Sequence, residues 1–306
     1  MSAALVLMLA MSAAGTAGTG HDDSPASAAS ASASIPPMPA RRIASLDYCA
    51  DAHLLALADR AEIAALSSEA DAPYAWAGRH APDLPRLIDG IEGLIGLNPG
   101  LVVTTAGHAR AADLAERAGL RVVRLGYLAR IEDSFAALRR LGSAMGRSAR
   151  AESVIQETKR RMASLQDRAA ALPAKAKPRV LYLTPSGVTT GAGTYVDRLL
   201  RLAGLRNLLA ERGITGWSRL RLEDVAALHP DLVITSFFAA RHGWQESWRL
   251  TGHPLARRLL RSARRIPVPA ASWGCAGFFA VEAAERIVAE LGPRIASGDV
   301  GKEGPS

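Results

Sequence analysis

The segment IEGLIGLNPGLVVTT at residues 91–105 has a second copy, LEDVAALHPDLVITS, at residues 222–236. The two segments align without a gap, so that Glu92 matches Glu223 and the single proline of each copy falls at the same place. Each copy has the pattern of a short helix that stops at the proline, followed by a strand rich in β-branched residues. An internal repeat of this kind predicts two similar lobes.

Strand and helix patterns alternate on both sides of each copy. Before the first copy, RRIASL at 41–46 predicts a strand, DYCAD at 47–51 a loop and AHLLALADR at 52–60 a helix. RVVRL at 121–125 predicts a further strand, and RVLYLT at 179–184 begins the same alternation in the second half. This order predicts an α/β fold with a parallel sheet in each lobe. We expect a ligand cleft between the lobes, at the carboxyl ends of the strands.

A long helical segment separates the two halves. Residues 131–172 are dominated by helix formers and contain no proline. They predict one helix that ends near Gly146 and a longer, rigid α-helix at 148–172 that joins the lobes. The predicted domains are therefore an N-terminal α/β lobe at 41–130, a helical strut at 131–172 and a C-terminal α/β lobe at 173–292.

Both ends of the chain differ in composition from the lobes. Residues 1–19 contain a short apolar run followed by small residues, which is typical of a signal peptide. The basic residues that usually begin such a peptide are missing, and a start codon placed too far downstream would explain this. Residues 20–40 are rich in Ser, Ala and Pro and are predicted to be a flexible leader. The polar residues 293–306 are predicted to be a disordered tail.

The net charge of the chain is +8. The arginines are spread among acidic residues on amphipathic segments, which indicates a solvated surface and not a nucleic-acid partner. Neither a nucleophile elbow, a zinc-protease motif nor a phosphate-binding loop is present, and the histidines lack metal-ligand spacing. We therefore expect no catalytic activity, no metal and no cofactor.

Five segments in order carry a family resemblance. They are the two copies of the repeat, RIASLDYCAD at 42–51, GAGTYVDRLLRLAGLRN at 191–207 and SWGCAGFFAVEAAERI at 272–287. The chain resembles the periplasmic substrate-binding proteins of ABC importers for cobalamin, haem and ferric siderophores, whose lobes are joined by a stiff helix.

The resemblance implies a function in transport. It implies a periplasmic monomer, peripheral to the inner membrane, that carries a cobalamin-like, haem or ferric-siderophore ligand to an ABC permease dimer. Two alternatives from other classes remain open. One is a two-lobed α/β hydrolase or oxidoreductase, and the other is a ligand sensor that docks on a receptor.

Aromatic residues in the loops of both halves are the predicted ligand contacts, because a large planar ligand is held mainly by aromatic surface. Trp217, six residues before Glu223, matches the position of a pocket aromatic in cobalamin binders. The predicted ligand-binding residues are Asp47, Tyr48, Tyr74, Trp76, Trp217, Trp244 and Trp273.

Two further pairs of residues have predicted roles. The resemblance implies that Glu92 and Glu223, one on each lobe, pair with arginines of the permease. The cysteines Cys49 and Cys275 lie in loops that the predicted fold brings together across the cleft. They are either a disulfide between the lobes or two separate buried residues.

Overall fold

The computed structural model describes residues 42–237 and 253–292. None of the helices in these two ranges combines the length and the apolar character needed to cross a membrane. The predicted signal peptide, leader and tail lie outside the described residues, and so does Trp244.

A four-stranded parallel sheet forms the centre of the N-terminal lobe, with the strand order β2-β1-β3-β4. The strands are β1 (Ile43–Ser45), β2 (Ile63–Ala65), β3 (Leu101–Thr104) and β4 (Val122–Arg124). The helices between and beside them are α1 (Tyr48–Leu57), α2 (Ala77–His80), α3 (Gly90–Leu97) and α4 (Ala109–Arg117). Strands β1, β2 and β3 are buried along their whole length, as expected for a sheet covered on both faces.

A second parallel sheet forms the centre of the C-terminal lobe, with the order β10-β9-β5-β7. Its strands are β5 (Arg179–Leu183), β7 (Arg206–Asn207), β9 (Leu232–Thr235) and β10 (Arg264–Pro267). A separate antiparallel pair consists of β6 (Val188–Thr190) and β8 (Trp217–Arg219). The described helices of this lobe are α7 (Tyr195–Leu202), α8 (Leu208–Glu211), α9 (Leu222–Ala227), α10 (Pro254–Ser262) and α11 (Val281–Leu291).

Two helices occupy the predicted strut, α5 (Ile131–Met145) and α6 (Ser148–Ala170). Helix α5 ends at Gly146, whose φ of 70° is the left-handed conformation that glycine adopts without steric cost. The two helices pack closely at Gly142, where an added Cβ would lie 2.7 Å from the Cβ of Ala151. Both helices predicted for this segment are therefore present, and the pair packs on α1 of one lobe and on α7 and α11 of the other.

One hydrophobic core runs through both lobes and the helical pair. It contains Leu54 of α1, Leu138 of α5, Ile155 of α6, Leu199 of α7 and Ile287 of α11, all of them fully buried. Because protein cores are close-packed and resist deformation, this shared core favours small relative movements of the lobes. The predicted two-lobed α/β fold is confirmed.

Candidate ligand site between the lobes

Helix α1 begins earlier than the sequence predicts. Asp47 accepts a hydrogen bond from the Ala50 amide at 2.9 Å and so caps the helix at Tyr48. Its other carboxylate oxygen accepts bonds from the amide of Thr105 at 2.6 Å and the hydroxyl of Thr104 at 3.1 Å. The carboxylate thus joins the carboxyl ends of β1 and β3. In this structure the Asp47 side chain is buried and its hydrogen bonds stay within the lobe, so its contact with a ligand stays a prediction.

Tyr48 and Tyr74 lie together where the lobes meet. Their rings form an edge-to-face pair with centroids 4.9 Å apart. Tyr48 donates a hydrogen bond at 3.0 Å to the carbonyl of Gly274 in the other lobe, while Tyr74 donates to Glu69 at 3.2 Å. Burial is the main cause that raises the pKa of Tyr48, so its phenol stays neutral and acts as a donor. Two predicted residues are therefore adjacent, at the boundary between the lobes.

Trp76 takes part in a different contact between the lobes. Its ring stacks on His80 with centroids 3.5 Å apart and lies 5.5 Å from the ring of Phe279. Its indole nitrogen donates to both carboxylate oxygens of Glu282 in α11, each at 3.3 Å. Both the ring and its polar atom thus have partners at the junction of the lobes, and contact of the half-buried Trp76 with a ligand stays a prediction.

The two tryptophans of the C-terminal lobe that lie in the described ranges, Trp217 and Trp273, differ sharply in exposure. Trp273 is 0% exposed, and its indole nitrogen donates to the Ser236 hydroxyl at 2.7 Å. Its ring packs edge-on against Tyr182 with centroids 5.2 Å apart, so Trp273 lies in the core of this structure and its contact with a ligand stays a prediction. Trp217, at the start of β8, is 47% exposed, and its ring lies 5.7 Å from that of Tyr195. Trp217 thus presents an exposed ring beside Tyr195.

Tyr127 was missed by the sequence analysis, although it follows a strand in the same way as the predicted aromatics do. It comes just after β4 and Gly126, at the carboxyl edge of the first sheet, and is 77% exposed. Burial chiefly raises the pKa of Tyr195, and Tyr127 is among the neighbouring groups that raise it further.

His108 and Glu69 form a polar cluster at the same edge of the first sheet, and neither was predicted. The His108 Nε2 atom lies 4.0 Å from Glu69, and its Nδ1 atom lies 4.0 Å from Asp47. One buried oxygen of Glu69 and the Nδ1 atom of His108 have no hydrogen-bond partner among the described residues. Buried polar atoms are rarely left unpaired, so these two atoms are available to a ligand or to water.

Asp51, one turn into α1, makes stability depend on pH. Burial raises the pKa of its carboxyl to about 7, although hydrogen bonds from the amide and hydroxyl of Ser67 act in the opposite direction. The folded protein thus keeps a proton that the unfolded chain loses above about pH 4. We expect the free energy of unfolding to fall by about 2–4 kcal/mol between roughly pH 4 and pH 7.

The matched variant is Asp51→Asn, which keeps a neutral acceptor for Ser67 at every pH. The free energy of unfolding of both proteins should be measured in urea across this pH range. It should fall less steeply with rising pH in the variant than in the wild type. Parallel stability curves for the two proteins would show that Asp51 does not hold a proton in the folded state.

The two sheets and the aromatic residues between them define a solute-binding protein with two lobes. The chain belongs to the periplasmic binding protein family, whose profile matches residues 43–242. Membership of this family implies a location outside the cytoplasm. The family resemblance found in the sequence is confirmed.

Two curated relatives cover part of the chain. An uncharacterised ABC transporter substrate-binding lipoprotein of Bacillus subtilis is 23% identical over 170 residues, which are 51% of this chain and 53% of the relative. A cobalamin-binding protein of Halobacterium salinarum is 28% identical over 156 residues, which are 49% of this chain and 41% of the relative. The chain thus spans about half the length of these relatives, or less.

A solved structure covers more of the fold. The periplasmic haem-binding protein RhuT from Roseiflexus, in its apo form, superposes with a TM-score of 0.64 and 22% sequence identity. The match includes 85% of this chain and 99% of that structure. At this identity the similarity establishes the shared fold.

Proposed function

We propose that this protein captures a bulky chelate in the periplasm and delivers it to an ABC importer. The ligand class is a cobalamin-like molecule, haem or a ferric siderophore. The observation that carries the proposal is the pair of exposed aromatic residues, Tyr127 on one lobe and Trp217 on the other. The names of the relatives, one cobalamin-binding and one haem-binding, agree with it.

The physical basis of binding is the apolar surface that is buried when such a ligand packs against aromatic rings. An aromatic side chain buries roughly 150–250 Å² of surface, and each buried Å² contributes about 25 cal/mol. A few such contacts are enough for tight binding of a large planar molecule. The polar pair His108 and Glu69 supplies hydrogen-bonding groups on the same side of the site. The proposal includes no catalytic step, in keeping with a family of binding proteins.

Docking on the permease is assigned to Glu92 and Glu223. Both side chains are exposed in the first turn of a short helix, α3 and α9 respectively. Neither forms an ion pair with a described residue. Next to Glu223, Arg221 pairs with Asp224 at 3.0 Å instead. An acidic residue near a helix start is stabilised by the helix dipole, which alone accounts for either glutamate. The exposed Ile88 and Ile95 near Glu92 add apolar surface that suits an interface.

Absorption spectroscopy tests the ligand class directly. The protein should be purified without added ligand from the cells that naturally make it, and its spectrum recorded from the ultraviolet to the red. We expect a visible band that identifies a corrin, a haem or an iron–siderophore complex. A colourless protein that also fails to take up any of these three chelates would contradict the proposal.

A further inference from the structure

Two cysteines from opposite lobes lie in the same part of the core. Cys49 is in the first turn of α1, and Cys275 is in the segment between β10 and α11. Both thiols are free and buried in this structure, and both residues belong to the core that runs through the two lobes. They are the whole cysteine content of the chain.

The residues next to the two cysteines are in contact. The phenol of Tyr48, the neighbour of Cys49, donates a hydrogen bond at 3.0 Å to the carbonyl of Gly274, the neighbour of Cys275. The lobes approach closely here, because a Cβ at Gly274 would lie 2.4 Å from the carbonyl oxygen of Tyr74 and 3.4 Å from the ring of Tyr48. The two cysteines therefore lie beside one contact between the lobes, and both are buried in the same core.

Cys275 belongs to the electrostatic surroundings of Cys49. Burial raises the pKa of Cys49 well above its ordinary value, and the Cys275 thiol raises it further. Burial also holds the nearby Tyr48 phenol in its protonated form, while the Asp47 carboxylate is a charged neighbour that raises the Cys49 pKa as well. Oxidation of the two thiols would form one disulfide between the lobes and would involve no other cysteine, since the chain has two.

We propose that Cys49 and Cys275 form a disulfide that ties the two lobes together where they meet and limits how far they separate. Of the two sequence-based alternatives, a bridge or two separate buried residues, the proposal adopts the bridge. This inference does not depend on the identity of the ligand.

The reaction requires a disulfide oxidant, such as oxidised glutathione or the active-site disulfide of a thiol oxidase. One cysteine thiolate attacks the oxidant and forms a mixed disulfide, releasing one reduced thiol. The second cysteine then displaces the other thiol, so two protons and two electrons leave the protein and the oxidant is fully reduced. Because buried, high-pKa thiols attack slowly, we expect the bond to form while the chain folds outside the cytoplasm.

Thiol counting tests the bridge without any variant. Protein secreted to the periplasm, or refolded with oxidised glutathione, is denatured without reductant and alkylated. We expect no alkylated cysteine before reduction and two after it, with Cys49 and Cys275 in one linked peptide pair. Two free thiols, or two separate glutathione adducts, would overturn the proposal.

Unfolding tests the claim that the bridge ties the lobes. Reduction should lower the urea midpoint of the wild type and leave that of Cys49→Ser/Cys275→Ser unchanged. The double variant should unfold near the midpoint of the reduced wild type. If the bridge is present but reduction leaves the wild-type midpoint unchanged, the bond does not restrain the lobes and this part of the proposal is wrong.

Discussion

Replacing both Glu92 and Glu223 by arginine is expected to abolish uptake through the importer while leaving ligand binding intact. The two carboxylates are exposed, one on each lobe, and neither has a described ion-pair partner that the change would break. Removing one member of a desolvated interface charge pair costs about 2–5 kcal/mol, and reversal adds repulsion. We expect uptake by the double variant to fall by at least about 30-fold, since about 2 kcal/mol corresponds to that factor.

The measurement compares uptake by the reconstituted importer with the ligand affinity of the purified variants. Each single alanine variant should lose less uptake than the double alanine variant, and the double arginine variant should lose most. Asp167→Arg is the matched control, because Asp167 is an exposed acidic residue on α6 with no ion pair among the described residues. Normal uptake by the double arginine variant would leave both glutamates with only the stabilisation that the helix dipole gives them.

The second large effect is expected from truncation of the exposed aromatic residues. Trp217→Ala and Tyr127→Ala each remove a ring from the site, and each should weaken binding by about 1–3 kcal/mol, or roughly 5- to 150-fold in Kd. Both side chains are accessible to solvent, so their loss leaves the core intact. The change in affinity should therefore exceed the change in folding stability.

Isothermal titration with the chelate found in the native protein measures this effect, and urea unfolding provides the comparison. Leu114→Ala is the control, because Leu114 is a partly exposed apolar residue on α4, outside the site. Unchanged affinity in both aromatic variants would show that the ligand binds elsewhere on the protein.

Local patterns in the sequence predict much of this fold. The repeated helix–proline–strand segments correspond to α3 with β3 and α9 with β9, and each strand takes a central place in its sheet. Such segments are recognisable because a proline and a β-branched run determine their local structure. The antiparallel pair β6–β8 was not predicted, because its pairing depends on residues distant in the chain.

The site was less predictable, because the same residue type near the end of a strand or helix can be exposed in one place and buried in another. Trp217 and Trp273 both follow the expected pattern, but only tertiary packing buries Trp273 against Tyr182 and Ser236. Asp47 has the composition of a ligand contact, yet its short side chain reaches the backbone of its own lobe and caps α1. Tyr127 was overlooked because Gly126 and Tyr127 resemble an ordinary loop.

Titration of intrinsic tryptophan fluorescence tests the central claim most directly. Trp217 lies partly exposed beside Tyr195 in the proposed site, so a bound chelate that absorbs visible light should quench its emission. The account predicts saturable quenching by cobalamin, haem or a ferric siderophore, reduced in Trp217→Phe, and no response to sugars or amino acids. Quenching by a sugar or an amino acid, with no response to any of the three chelates, would contradict it.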